Sequence, residues 1–173
     1  MEDLRFPIGR FHFPDALNET ERDTAIRSIE NVPTALRDAV HGLSDEQLDT
    51  PYRPEGWTVR QVVHHLCDSH INSVVRFKLA LTETQPTIRT YEEALWAELP
   101  DKDGAIDPSL ALLEGLHLRW AYLLKRLSDD QWERTLNHPE VGELRVDQLA
   151  ALYAWHGPHH VAHITSLKKR LQW

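Results

Sequence analysis

The chain has 173 residues, 41% hydrophobic and 27% charged, the proportions of a soluble globular protein long enough for one ordinary core. A formal net charge of −8 argues against nucleic acid and anionic membrane surfaces as partners, and no run approaches the ~18 apolar residues of a membrane span. The single cysteine, Cys67, excludes an intramolecular disulfide and any multi-thiolate zinc site; with no signal-peptide pattern in Met1-Glu2-Asp3-Leu4-Arg5-Phe6-Pro7, a cytoplasmic setting is expected.

Residues 1–17 carry Pro7, Gly9 and Pro14 among aromatics and read as an extended N-terminal arm on a single domain spanning 1–173. From Glu19 to about Val40 the apolar residues Ile26, Ile29, Leu36 and Val40 recur with helical spacing. Pro33 is expected to kink or interrupt this helix, because proline removes a backbone donor and crowds the preceding turn. Gly42 to Gly56, with Pro51 and Pro54, is a connecting loop with a helical turn at Ser44-Asp45-Glu46-Gln47. Thr58 with Gln61 forms a capping box that opens a long helix to about Thr82. Its main apolar face holds Val59, Val62, Val63, Leu66, His70, Phe77 and Leu81.

Residues 83–107 read as irregular around one short helix near Tyr91 to Leu99. Asp107-Pro108 is a cap residue followed by proline, the start signal of a helix whose stripe is Leu113, Leu116, His117, Trp120, Leu124 and Leu127. Ser128 to Arg134 suggests another short helix, and His138 to Leu144 a turn or small hairpin. The last helix runs from about Asp147 to Lys169, with basic residues near the end that the macrodipole favours. Four long amphipathic helices without core strands predict an all-α four-helix bundle with short extra helices.

Within the last helix, Trp155-His156-Gly157-Pro158-His159-His160-Val161-Ala162-His163 places four histidines in eight residues. At about 100° per residue, His156 and His160 project near the centre of the face made by Leu149, Tyr153, Ile164, Leu167 and Leu171. His163 lies nearer its edge and His159 well to one side. A buried imidazole needs partners for both ring nitrogens. Core histidines find them in protein groups; two histidines four apart on one face can instead grip one ion. Since a metal site takes at least three protein groups, and bundles build sites from facing helices, a third ligand is expected on another helix. In Val62-Val63-His64-His65-Leu66-Cys67-Asp68-Ser69-His70, periodicity favours His70, keeps His65 second at the flank, and turns His64 and Asp68 away.

The strings Gly56-Trp57-Thr58-Val59-Arg60-Gln61-Val62-Val63-His64-His65-Leu66 and Asp68-Ser69-His70-Ile71-Asn72 resemble the DinB superfamily, and more closely its YfiT-like branch of metal-dependent hydrolases. Arg76-Phe77-Lys78-Leu79, Leu81-Thr82-Glu83, Ala94-Leu95-Trp96, Leu48-Asp49-Thr50-Pro51-Tyr52-Arg53 and the histidine-rich last helix extend the resemblance over nearly the whole chain. It implies a divalent metal held by His65, His156 and His160, overruling the periodicity on the second long helix and leaving His70 as the alternative. It also implies a homodimer.

Three neutral imidazoles leave an ion's charge uncompensated and a position open, as in catalytic sites. Such a site activates water or a substrate oxygen, or stabilises a bound thiolate. The expected cofactor is one divalent metal per chain, zinc first and nickel second, acting on a small-molecule substrate. The expected function is metal-dependent hydrolysis. The rivals are an S-transferase joining a low-molecular-weight, bacillithiol-like thiol to an electrophile, and a non-catalytic metal-binding stress protein. Asp68, Glu92, Glu93 and Asp147 are candidates to orient the ligands, with nothing in their spacing to choose one. Arg60 and Arg76 offer charge for an anionic substrate against a plainer reading as surface or cap residues, while Trp57, Trp96, Trp155 and Cys67 read as core.

Overall fold

The computed structural model describes residues 3–173; Met1 and Glu2 of the expected arm lie outside the described residues. Four long helices, α1 (Glu19–Val40), α3 (Val59–Thr82), α5 (Asp107–Leu124) and α7 (Val146–Leu171), form a four-helix bundle. Short helices α2 (Asp45–Leu48), α4 (Glu93–Trp96) and α6 (Asp129–Trp132) and a single 3-10 turn (Pro100–Asp103) sit in the connections. A hairpin of β1 (Thr135–His138) and β2 (Gly142–Arg145) precedes α7, in register Thr135↔Arg145 to His138↔Gly142. Its Leu136 and Leu144 are buried, so the hairpin closes one end of the core. Among the described residues, no helix is long and apolar enough to cross a membrane.

Local chemistry sets the helix starts. Asn18 accepts from Glu21 N–H at 3.0 Å while the Glu21 carboxylate accepts from Asn18 N–H at 2.9 Å. Thr58 and Gln61 exchange the same pair at 3.1 and 2.9 Å, satisfying amides that a helix start leaves without partners. At α5 the expectation is off by one residue: Ile106 is the cap, and Asp107 and Pro108 already lie in the first turn.

The principal contacts run α1 to α7, α1 to α5, α3 to α5 and α3 to α7, so α3 meets two neighbours. Two apolar clusters fill the interior, one around Phe77, Trp120 and Tyr153, the other around Val62, Leu113 and Ile164. Along every long helix, membership passes from one cluster to the other, and His65, His70, His117, His156 and His160 fall at or beside that changeover. The bundle therefore carries a layer of imidazoles between two apolar halves.

Both internal prolines sit in unbroken helices. Of the two outcomes expected at Pro33, a kink or an interruption, the second does not occur: α1 continues through it to Val40. Proline costs a helix the bond to the carbonyl four residues earlier, so each frees one carbonyl. For Pro158 in α7 that carbonyl is Ala154, and the Ser28 hydroxyl of α1 donates to it at 2.6 Å. A side chain from the neighbouring helix thus satisfies the group that would otherwise make proline costly.

Gly157 explains how α1 comes so near. A Cβ at this position meets Val32 Cγ2 at 2.3 Å, Cγ1 at 3.0 Å and Cβ at 3.3 Å, and Val32 is 2% exposed. With three atoms of one short buried side chain in the way, rotation cannot relieve the clash. Gly157→Ala should lower stability by about 1–2 kcal/mol, overpacking outweighing alanine's helix propensity gain of about 1 kcal/mol. Urea unfolding midpoints test this: Val32→Ala in the same chain should recover part of the loss, and a Gly157→Ala protein as stable as wild type would refute it.

Candidate metal centre

His65, His156 and His160 each bring one ring nitrogen to within 4.8 Å of the others. His65 comes from α3; His156 and His160, one turn apart, come from α7. Their ring centroids are 4.6 Å apart for His156 and His160, 4.7 Å for His65 and His160, and 5.6 Å for His65 and His156. His70 stays outside this group and faces His156 and His117.

Burial, followed by the charges of nearby imidazoles, holds the pKa values down. His65 is lowered to about 4, and His156 and His160 lie well below 6.5. All three rings are therefore neutral near pH 7, the form that offers a lone pair to a cation. The Nδ1 atom of His160 is buried and has no hydrogen-bond partner among the described residues. An unpartnered buried nitrogen beside two converging imidazoles fits a divalent ion that accepts nitrogen ligands.

Aromatic rings enclose the cluster. Trp57, just before the α3 cap, covers His65 with centroids 4.6 Å apart and stacks toward His160 at 6.4 Å. Its reading as plain core missed this contact. A narrow cleft beside His65 is lined by Gln61, His64, Asp68, Tyr91 and Trp96. Partial burial, then the nearby Asp101, raises the Asp68 carboxyl above its ordinary range. The wider grooves lie elsewhere, one of them, near 470 Å³, along α3 and α5 at Val74, Leu116 and Tyr122.

The other histidines serve different contacts. His64 points away, bonded to Ser109 Oγ at 2.8 Å and the Gly104 carbonyl at 3.3 Å. His159 stacks on Trp155 at 4.2 Å, and His163 stacks on Tyr52 at 4.1 Å while donating to the Arg5 carbonyl at 3.1 Å. These two rings therefore meet the N-terminal segment and the α2–α3 loop.

None of the four carboxylates proposed as orienting partners reaches the cluster by a hydrogen bond among the described residues. Asp147, fully buried, instead accepts from Leu17 N–H at 3.1 Å, the Arg145 guanidinium at 3.0 Å and Gln148 N–H at 2.8 Å. The partner of His156 is an imidazole, His70 Nε2 to His156 Nδ1 at 3.1 Å. Arg60 is neither a cap nor an open anion site, since its buried guanidinium binds Asp49 at 2.7 Å and Asp45 at 2.8 Å. Burial pushes the Cys67 thiol up to about 11, which suits a small core residue.

Known proteins resemble this chain along its length. It is 56% identical to a protein of Bacillus cereus (strain 03BB102) and to one of Bacillus thuringiensis subsp. konkukian (strain 97-27), over 173 residues and all of both chains in each case. Each bears the name "Putative metal-dependent hydrolase". The solved structure of YfiT from Bacillus subtilis, described as "a probable metal-dependent hydrolase with an unusual four-helix bundle topology", superposes with a TM-score of 0.96 at 47% identity over 99% of each chain. The model of the DinB superfamily matches residues 28–164, so the chain belongs to that superfamily.

Proposed function

We propose that this protein is a metal-dependent hydrolase in which His65, His156 and His160 hold one divalent ion, zinc in first place and nickel in second. The observation that carries this reading is the convergence of three neutral imidazoles from two helices within 4.8 Å. The names of the full-length relatives support the reaction class. When bound, such an ion supplies Lewis acidity to a water or substrate oxygen.

The rest of the chemistry falls to side chains. Trp57 covers one flank of His65 and keeps bulk water from it. Asp68, with its raised pKa, lines the cleft beside His65 and is placed to take up a proton from a small reactant. Tyr91 also lines this narrow cleft and gives a small reactant a polar group to orient against.

Protein purified without a polyhistidine tag should contain one zinc or nickel per chain by elemental analysis. A panel of ester, amide and lactone substrates should show turnover that chelation abolishes and the ion restores. Hydrolysis indifferent to chelation would refute the reading. Turnover that requires an added low-molecular-weight thiol would move the assignment to thiol transfer, and binding that raises the melting temperature without turnover would move it to a structural ion.

A further inference from the structure

The counterpart of the carbonyl freed by Pro158 is the one freed by Pro33. It belongs to Ile29, and Pro33 has no N–H to give it. His117 of α5 does so, its Nδ1 lying 2.6 Å from the Ile29 oxygen. A carbonyl only accepts, so this nitrogen carries the proton. The ring is buried and neutral, its pKa lowered to about 4 chiefly by burial, so its Nε2 is a bare acceptor.

The remaining protons then have one arrangement. His70 Nδ1 lies 2.7 Å from His117 Nε2 and must donate to it. His70 is fully buried, and both its ring nitrogens face other imidazoles with no carboxylate among the described residues to offset a charge, so the ring carries one proton and its Nε2 is an acceptor. His156 Nδ1, 3.1 Å away, must donate in turn. Donation therefore runs one way, from His156 to His70 to His117 to the Ile29 carbonyl. Trp120 and Tyr153 stand edge-on to His70, with centroids at 5.8 and 5.4 Å, and restrict a ring flip that would break both of its bonds.

We infer that His70 and His117 form a positioning relay, anchored on the carbonyl that Pro33 releases, which fixes His156 as the Nδ1–H tautomer and presents its Nε2 lone pair to His65 and His160. The relay needs no ion to exist. Its consequence for metal affinity rests on the reading of the site given above. Imidazole ligands to a metal depend on a partner at the second nitrogen for tautomer and orientation, and losing that partner typically costs about 10–100-fold in affinity. Here the partner is a second imidazole where a carboxylate or backbone carbonyl is usual.

Long-range proton–nitrogen correlation spectra of metal-free, ¹⁵N-histidine-labelled full-length protein read each tautomer directly. His156, His70 and His117 should all be Nδ1–H; an Nε2–H or averaged tautomer at His156 or His117 would overturn the relay. Zinc titration against a competing chelator supplies the second readout. His70→Leu should bind zinc about 10–100-fold more weakly and release His156 into mixed tautomers. His70→Gln, whose side-chain oxygen can accept from His156, should recover most of both. A His70→Leu protein that stays folded with wild-type affinity and an unchanged His156 tautomer would refute the proposal. Wild-type protein with the expected tautomers but no zinc binding would overturn the metal reading and leave the relay, whereas zinc binding with His156 as Nε2–H would do the reverse.

Discussion

His160→Ala should abolish stoichiometric metal binding, with affinity falling by more than about 100-fold, the upper end of what losing an orienting partner costs. Two imidazoles then remain where sites of this kind need at least three protein groups. His156→Ala and His65→Ala should match it, because each deletes a member of the converging triad. Removing an imidazole from His70 should cost less, since it stands one bond further out, against His156 Nδ1. The order His160, His156 and His65 above His70 thus tests which rings face the ion. Chelator competition gives the affinities, and circular dichroism confirms that each variant keeps its helices. A His65→Ala protein with wild-type affinity beside a His70→Ala protein that binds nothing would transfer the role to His70.

The bundle was legible because its signals are local. Capping pairs such as Thr58 with Gln61, and apolar stripes at helical spacing, depend on residues a few positions apart. The choice between His65 and His70 was not legible from spacing. Angular averaging finds the most buried position of a helix face, and His70 is indeed fully buried while His65 is 4% exposed. A group that meets a reactant must instead sit beside a cleft, and α3 packs on both α5 and α7, so its apolar stripe has no single centre. Only the family resemblance pointed to His65.

Pro33 and His117 show a different limit. Read along the chain, Pro33 is a helix breaker and His117 one more member of an apolar stripe. Subtracting four from 33 identifies Ile29 as the carbonyl left open, and a histidine in an apolar stripe is the kind of donor it needs. Both halves of that signal were present in the chain. What joins them is the packing of α1 on α5, which brings residues 88 positions apart to 2.6 Å. The expectation of carboxylate partners failed because the interior already held an uncharged acceptor, and burying a carboxylate there would add a desolvation cost.

Metal-free protein should lose stability steeply as pH falls from about 6.5 toward about 4. His117 carries the argument: it is 1% exposed, belongs to no part of the converging triad, and has its pKa lowered to about 4 by burial. Between that value and the ordinary 6.5 the unfolded chain binds a proton that the folded chain refuses, so acid favours unfolding. The contribution is fully present above about pH 6.5 and declines by about 1.4 kcal/mol per pH unit below it. His70 adds to the slope with the same sign, since burial and the neighbouring His156 and His117 lower its pKa further. Two such groups remove about 3 kcal/mol per pH unit, a large share of the roughly 5–15 kcal/mol that holds an ordinary domain together. Carboxylates with ordinary pKa values change little until lower pH, so they do not mask the effect. Urea midpoints measured with chelator present at about pH 7, 6 and 5 give the slope. Stability that is flat over that interval would mean the imidazole layer takes up protons while folded, which the one-way relay from His156 to the Ile29 carbonyl does not allow, because a doubly protonated His117 has no acceptor left for His70.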